Sequence, residues 1–177
     1  ERKTRSEKKE KEPVLVMEKV NANDDRGLPA LKNIDLTVYA GEILGVAGVD
    51  GNGQRELAEC SVGFRPLTGG TIHIQNKVVD RVISDPSFVG FIPEDRQKTG
   101  LLLDLSVAEN LVIKDFAHPP FSHSGVLQHN VIRNHARKLV PEYDVRTSSI
   151  ETQVGHLSGG NQQKVVIARE LNAKPVL

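Results

Sequence analysis

The chain has 177 residues, of which 38% are hydrophobic and 26% charged, so it is long enough to bury a hydrophobic core and has the composition of a globular protein. Its 23 lysines and arginines balance its 23 aspartates and glutamates, and this neutrality argues against a nucleic-acid partner or an anionic lipid surface. The single cysteine excludes an internal disulfide. The sequence contains no run of about 18 apolar residues, so no membrane span is predicted, and we expect a cytoplasmic chain.

The N-terminal half is predicted to consist mainly of strands. Residues 1–12 are almost wholly charged or polar and are expected to form a linker or tail, because they cannot bury enough apolar surface to become ordered. Residues rich in β-formers then predict three strands, over 14–20, 33–39 and 70–76. Between them the nearly continuous apolar run 42–49, EILGVAGV, is typical of a strand buried on both faces of a parallel sheet.

A glycine loop, GVDGNGQR at 48–55, follows this apolar run, and a helix capped by Gly63 is predicted after it. Its three glycines have the spacing of a phosphate-binding loop, in which backbone N–H groups surround the phosphates. However, Gln54 stands where such a loop carries lysine, and Arg55 stands where a serine or threonine would bind Mg²⁺. Taken alone, a lysine-free glycine loop is more often a tight turn without a ligand, and we expect no catalysis from it.

The C-terminal half is predicted to be mainly helical. Ser106 and Glu109 have the spacing of a capping box and mark a helix start. Apolar residues recur every three to four positions over 130–140, which predicts an amphipathic helix that ends at Pro141, and 117–125 is predicted to be a loop. The last helix is predicted over about 160–171, with an apolar face made of Val165, Val166, Ala168 and Leu171.

The octapeptide LSGGNQQK, residues 157–164, lies at the start of this last helix. Ser158 is a candidate N-cap, and Gly159 and Gly160 allow the backbone to approach a ligand closely. The helix dipole adds positive potential at the same place. The segment is therefore predicted to recognise an anion.

Together these segments resemble the nucleotide-binding cassette of ATP-binding cassette (ABC) transporters, from about residue 14 to the end. LSGGNQQK is similar to the family's signature, GVDGNGQR resembles a degenerate Walker A loop, and 90–111 resembles the stretch that contains the Q-loop. The lysine-free loop, the PEDR segment and this form of signature resemble the second of two fused cassettes in importers of simple sugars and nucleosides. Within this group, the loop sequence GVDGNGQ is more similar to that of the nucleoside importers than to that of the sugar importers.

The resemblance implies an α/β P-loop cassette with a mixed core sheet, an antiparallel β layer and a helical subdomain. It divides the chain into the linker 1–12, a nucleotide-binding core 13–94, a helical subdomain 95–158 and the signature helix 159–177, which leads into a Walker B strand. In this family the Walker B aspartate, the catalytic glutamate and the switch histidine would come later, so we expect no catalytic residue in this chain. We expect ATP hydrolysis only in a full protein and an inactive isolated chain.

The resemblance also implies which residues contact nucleotide. In the family, each ATP lies between the Walker A loop of one cassette and the signature of the other, so ATP and Mg²⁺ are expected mainly in the paired cassette. Glu94 stands at the Q-loop position, where most cassettes carry glutamine, and PEDRQK is expected to face the membrane partner. The candidate nucleotide-binding residues are Gly48, Val49, Asp50, Gly51, Asn52, Gly53, Gln54 and Arg55 in the loop, Glu94, and Leu157, Ser158, Gly159, Gly160, Asn161 and Gln162 in the signature.

The implied partners are a second cassette, transmembrane permease subunits and, indirectly, a solute-binding protein, which would place the chain at the cytoplasmic face of the cell membrane. Residues 22–30 contain no aromatic that could stack on adenine, although the family often has one there. The spacing of His118, His123, His129 and His135 does not place a pair on one helix face, so no metal site is expected.

Three alternatives remain at this point. A soluble ABC ATPase of translation or DNA repair would need a basic nucleic-acid surface, which the neutral charge balance disfavours. A GTPase or nucleotide kinase would need the missing lysine and hydroxyl residue of the loop. A nucleotide-binding or interaction module without activity is compatible with everything that this sequence contains.

Overall fold

The structure is a computed structural model that describes residues 12–49, 51–80, 83 and 88–177, so the predicted tail 1–11 lies outside the described residues. The chain divides into two compact units, one up to Ile83 and one from Ser84 to Val176. The first unit contains most of the strands and the glycine loop, and the second contains most of the helices and the signature. No helix among the described residues is long and apolar enough to cross a bilayer.

The first unit is built on an antiparallel sheet with the strand order β2-β1-β3-β4. The three predicted strands are confirmed, and β1, whose first half is continuously apolar, is an inner strand that pairs with β2 on one edge and β3 on the other. Met17, only 2% exposed, lies opposite Leu36 on one neighbour and Ile72 on the other. The four strands are β1 Pro13–Asn23, β2 Pro29–Tyr39, β3 Gly69–Ile74 and the short β4 Lys77–Val78.

The predicted strand over 42–49 is wrong. These residues have no regular secondary structure and are exposed, and the side chain of Ile43 is 98% exposed. A strand inside a parallel sheet needs hydrogen-bonding neighbours on both edges. Among the described residues the strands belong only to the antiparallel sheet and to a two-stranded hairpin, so no strand lies beside 42–49. Apolar composition alone was not sufficient to form the strand.

The predicted helix after the glycine loop is α1, Gln54–Ser61. It ends at Val62, and the following Gly63 adopts a positive φ of 75° while its N–H donates to the carbonyl of Cys60. Cys60 is 1% exposed, as expected of a small core residue, and burial raises the pKa of its thiol to about 11. The thiol is therefore neutral at ordinary pH.

In the second unit, helix α2, Val107–Val112, begins with the predicted capping box. The Ser106 hydroxyl accepts the Glu109 N–H at 3.2 Å, and the Glu109 carboxylate accepts both the Ser106 N–H at 2.8 Å and the Ser106 hydroxyl at 2.6 Å. These hydrogen bonds, first the one from the hydroxyl, lower the pKa of Glu109. Both side chains thus satisfy groups that a bare helix terminus would leave unpaired.

Two details of the helical half differ from the sequence prediction. Helix α3, His129–Glu142, contains Pro141 and does not end before it. A proline in the last turn leaves only one carbonyl of an already fraying end unpaired, so the helix tolerates it. The predicted loop 117–125 includes β5, Ser122–His123, which pairs with β6, Val126–Leu127.

The last helix is α4, Gly159–Asn172, and it packs into the apolar core of the second unit. Val165, Val166 and Ala168 are completely buried as predicted, whereas Leu171 is 47% exposed. A buried carboxylate also lies on this helix: Glu170 is 2% exposed. It accepts the Phe91 N–H at 3.0 Å and hydrogen bonds from Lys114 at 2.7 Å and Arg169 at 2.8 Å. The charge of Glu170 is thereby compensated, as burial requires.

Candidate functional site

The glycine loop is filled by one of its own side chains. The Gln54 carboxamide folds back over the loop, where Nε2 donates to the Val49 carbonyl at 3.1 Å and Oε1 accepts the Asn52 N–H at 3.2 Å. A Cβ on Gly48 would lie 2.1 Å from this Nε2, so Gly48 must lack a side chain for the carboxamide to fit. Gln54 thus takes up one backbone N–H group, that of Asn52, of the kind that a phosphate-binding loop directs at its ligand. Asp50 lies outside the described residues.

Arg55 also does not present a free charge. Its guanidinium pairs with Asp25, in the turn between β1 and β2, and with Glu59 at 3.2 Å. Arg65 joins the same cluster, with contacts of 2.6 Å to Asp25 and 2.7 Å to Glu59. The hydrogen bonds from Arg65 and then from Arg55 lower the pKa of Asp25, which therefore stays ionised. Each guanidinium already has carboxylate partners, which a phosphate would have to replace.

A cavity of about 740 Å³ lies beside the loop within the first unit. It is lined from the β1–β2 turn by Asp24, Asp25 and Arg26, and from the loop by Gly51, Asn52 and Arg55, among others. None of its lining residues is aromatic, so a base placed there would have no ring to stack on. Asp24 and Arg26 pair with each other at 2.8 Å and do not take over that role.

The loop therefore does not fit Mg²⁺, and it fits a polyphosphate only after rearrangement. Its described residues, 48, 49 and 51–55, include no hydroxyl, and the three carboxylates that line the cavity are balanced by the cations of Arg26, Lys32 and Arg55, so the lining offers no net positive charge to a phosphate. Gly51 and Gly53 have the positive φ values, 79° and 94°, of a tight glycine turn. The backbone thus retains the glycine turn of a phosphate-binding loop, but the Gln54 carboxamide makes its hydrogen bonds within the loop.

The signature segment, residues 157–164 in the second unit, has an accessible helix start. Ser158 is the N-cap residue of α4, yet its side chain makes no capping hydrogen bond, because its hydroxyl accepts the Asn161 side-chain amide at 3.0 Å. Gly159 and Gly160 form the first positions of the helix, and Gly160 is open to solvent on its Cβ side. An uncapped helix N-terminus whose backbone is this accessible fits the phosphate chain of a nucleotide.

The remaining signature residues are placed differently from one another. Gln162 is 2% exposed, donating to the Val154 carbonyl at 3.2 Å and accepting the Gln97 side-chain amide at 2.9 Å. Its side chain thus lies behind the surface. Asn161 accepts the Arg146 N–H at 2.8 Å, and Leu157 is partly buried against the apolar core. The surface available to a ligand is formed by Ser158, Gly159 and Gly160.

Glu94 is exposed, in a bend that leads into a π-helical turn, Arg96–Gly100. Asp95 caps this turn by accepting the Gln97 and Lys98 N–H groups, each at 3.1 Å, and these contacts, first the one from the Lys98 N–H, lower its pKa. The turn packs along α4, with Arg96 next to the signature. Sequence reasoning interpreted PEDRQK only as a charged coupling segment and missed this contact, because Arg96 and Gly159 are far apart in the sequence.

Comparisons with known proteins identify the family. The chain matches the family model described as ABC transporter over residues 31–177. It is 43% identical over 171 residues to the nucleoside import ATP-binding protein NupA of Lactococcus lactis subsp. cremoris, covering 94% of this chain and 34% of that protein. It is 42% identical over 180 residues to the guanosine import ATP-binding protein NupO of Bacillus subtilis, covering 98% of this chain and 35% of that protein. The chain thus spans about a third of the length of these relatives.

Solved structures share the fold. The ATP-binding cassette MJ0796, in a dimeric post-hydrolysis state bound to ADP and phosphate, superposes with a TM-score of 0.73 at 23% identity, over 91% of this chain and 70% of that one. The protein cbiO1 of Clostridium perfringens, part of the transporter complex cbiONQ, gives a TM-score of 0.66 at 22% identity, over 93% and 63% of the two chains. The expected cassette fold is thereby confirmed, and the chain belongs to the ABC transporter family.

Proposed function

We propose that this chain is the second of two cassettes in the ATP-binding protein of an importer for nucleosides or simple sugars. Its signature segment would close over ATP and Mg²⁺ held by the first cassette, while its own glycine loop would face the signature of that cassette. ATP hydrolysis would drive uptake through permease subunits at the cytoplasmic face of the membrane, with a solute-binding protein delivering the solute. Two relatives at 42–43% identity are named as nucleoside and guanosine import proteins, which supports the nucleoside branch, and a third at 43% is named as a glucose import protein, which supports the simple-sugar branch.

The observation that carries the proposal is the contrast between the two candidate sites. The glycine loop is occupied by the Gln54 carboxamide, and Arg55 is paired with acidic side chains, so this loop offers little to a nucleotide. The signature, in contrast, has an uncapped helix start with two glycines. A cassette with a closed loop and an open signature is suited to completing a partner's site, because its helix start offers backbone and hydroxyl donors to the ATP held there.

The test uses Ser158→Ala in the complete importer reconstituted with its permease in lipid vesicles. Loss of one hydrogen bond to a charged phosphate corresponds to about 1.5–3 kcal/mol, so we expect solute-stimulated ATP hydrolysis to fall by about 10- to 150-fold. The matched control is Ser148→Ala, because the hydroxyl of this exposed serine, which lies outside the signature segment, shares a hydrogen bond with Thr152, and its loss should leave the rate unchanged. Normal hydrolysis by the Ser158 variant would refute the proposal.

Uptake of labelled guanosine and of labelled ribose by the same vesicles assigns the solute class. The nucleoside assignment predicts accumulation of guanosine that depends on ATP and on Ser158. Hydrolysis without uptake of either solute would favour a non-transport ABC ATPase.

A further inference from the structure

Arg96 lies directly against the first residue of the signature helix. A Cβ atom on Gly159 would be 2.6 Å from Nη2 of Arg96 and 3.6 Å from its Cζ. Any side chain at position 159 would therefore have to displace the guanidinium. Glycine at position 159 thus leaves room for the Arg96 guanidinium and also lets a ligand approach the backbone of the helix start.

The guanidinium of Arg96 is not satisfied by its protein surroundings. Its Nε is buried and has no hydrogen-bond partner in the part of the chain that the structure describes, and Arg96 forms no ion pair with the described residues. The neighbouring carboxylate of Asp95 is already used, since it accepts two backbone N–H groups and contacts Lys98 at 3.3 Å. A buried donor without a partner is rare in native proteins and calls for a specific explanation.

The position of Arg96 is also unfavourable unless an anion is present. Helix N-termini carry partial positive charge, and cations stabilise helices at the opposite end. Here a guanidinium lies at the start of α4, where no side chain caps the first turn. The helix start and the arginine therefore repel each other, and both would be stabilised by the same negatively charged ligand.

The π-helical turn holds Arg96 at this place. Gln97 donates to Gln162 at 2.9 Å, and Arg169 donates to the Gly100 carbonyl at 2.9 Å. Both ends of the turn are therefore hydrogen-bonded to side chains of α4. A Cβ on Gly100 would be 3.6 Å from Val166, which shows how closely the turn lies on the helix.

We propose that Arg96 is a further phosphate-contacting residue of the signature segment and binds the polyphosphate chain of the nucleotide that Ser158, Gly159 and Gly160 contact. A guanidinium offers several N–H donors in a fixed plane, which suits phosphate oxygens. This inference rests on the proposed function, because it adds a residue to the same signature surface. It also assigns the PEDR segment a role at the nucleotide, in addition to the expected one at the membrane partner.

The test is a titration of the ¹⁵N-labelled 177-residue chain with inorganic tripolyphosphate, followed by the backbone amide signals of Gly159 and Gly160. Arg96→Gln should weaken the binding that these signals report by about 10- to 150-fold, the range for a lost charge-assisted hydrogen bond. Lys98→Gln is the matched control, because it removes the same charge from the same turn on a side chain that is 84% exposed. It should change the affinity by less than about twofold, as expected for an exposed charge screened by solvent. Arg96→Lys should recover part of the loss.

Unchanged amide signals for Val165 and Ala168 in the α4 core show that each variant is folded. Equal weakening by Arg96→Gln and Lys98→Gln would overturn the inference, because it would indicate a general effect of charge. Identical titration of wild type and Arg96→Gln would also overturn it, but would leave the signature proposal intact. Wild-type signals that do not respond to tripolyphosphate would overturn polyphosphate binding by Arg96 and the signature together, whereas normal hydrolysis by the Ser158→Ala importer would contradict the proposed function alone.

Discussion

Removing the Gln54 carboxamide is expected to open the glycine loop to a polyphosphate. In the structure this side chain makes two hydrogen bonds within the loop, to Val49 and Asn52, at 3.1 and 3.2 Å. A phosphate that approaches the loop amides has to displace both of them. Gln54→Ala removes this competition without adding a charge, and Gln54→Lys removes it and also supplies a cation.

The magnitude follows from those contacts. Each hydrogen bond contributes about 0.5–1.5 kcal/mol, so the carboxamide opposes a ligand by about 1–3 kcal/mol in total. Gln54→Ala should therefore strengthen binding of Mg-ATP by about 5- to 150-fold. The lysine variant should gain a further factor of about 10 to 150 from a charge-assisted contact. Arg55→Ser should be added to the lysine variant, because a hydroxyl there would provide a ligand for Mg²⁺.

Calorimetric titration of Mg-ATP into the chain and these variants measures the effect. The expected order of affinity is wild type, then Gln54→Ala, then Gln54→Lys with Arg55→Ser. Asn52→Ala serves as a comparison, because it removes the second side-chain donor to the same Val49 carbonyl but leaves the Gln54 carboxamide in the loop. If wild type binds as tightly as the lysine variant, the carboxamide does not block the loop, and the closed-loop interpretation is refuted.

Three further predictions concern stability and reactivity. Cys60 should resist a thiol reagent at about pH 8 until urea unfolds the chain, because burial keeps its thiol neutral and inaccessible. Ser106→Ala should lower the free energy of unfolding by about 1 kcal/mol in urea titrations at pH 7. Since the folded pKa of Glu109 is lowered from its ordinary value of 4.5, its contribution is complete above that pH and is lost as the pH falls through the folded pKa, so the effect of Ser106→Ala should shrink as the pH is lowered below 4.5. Lys114→Ala should lower the free energy of unfolding by up to about 3–5 kcal/mol, because it removes one partner of the buried Glu170, and a loss below about 0.5 kcal/mol would show that Arg169 alone compensates this carboxylate.

Features that depend on neighbouring residues in the sequence could be predicted well. The capping box at Ser106 joins residues three positions apart, and the strand β1 follows from a local run of β-forming residues. The helix that starts at Gly159 also follows from local spacing. In each case the hydrogen bonds or the buried face repeat with a short period, so the sequence contains the necessary information.

Features that depend on distant partners could not be predicted. The apolar run 42–49 has the composition of a buried strand, but a strand exists only when neighbours complete its hydrogen bonds, and none of the described residues does so. The pairing of Arg55 with Asp25 joins positions 30 residues apart, and nothing in the spacing of the loop indicates it. Whether Arg55, a candidate nucleotide-binding residue, has a free charge therefore depends on a contact that only the fold supplies.

The sequence by itself determined the family of this protein, the positions of the glycine loop and the signature, and the absence of a lysine and a hydroxyl from the loop. Only the tertiary structure decided that the Gln54 carboxamide fills that loop and that Arg96 lies on Gly159. The physical reason is that the type and spacing of side chains follow from the chain alone. Which side chain occupies the glycine loop, and which charge lies at the start of α4, depend on the groups that folding brings within hydrogen-bonding distance.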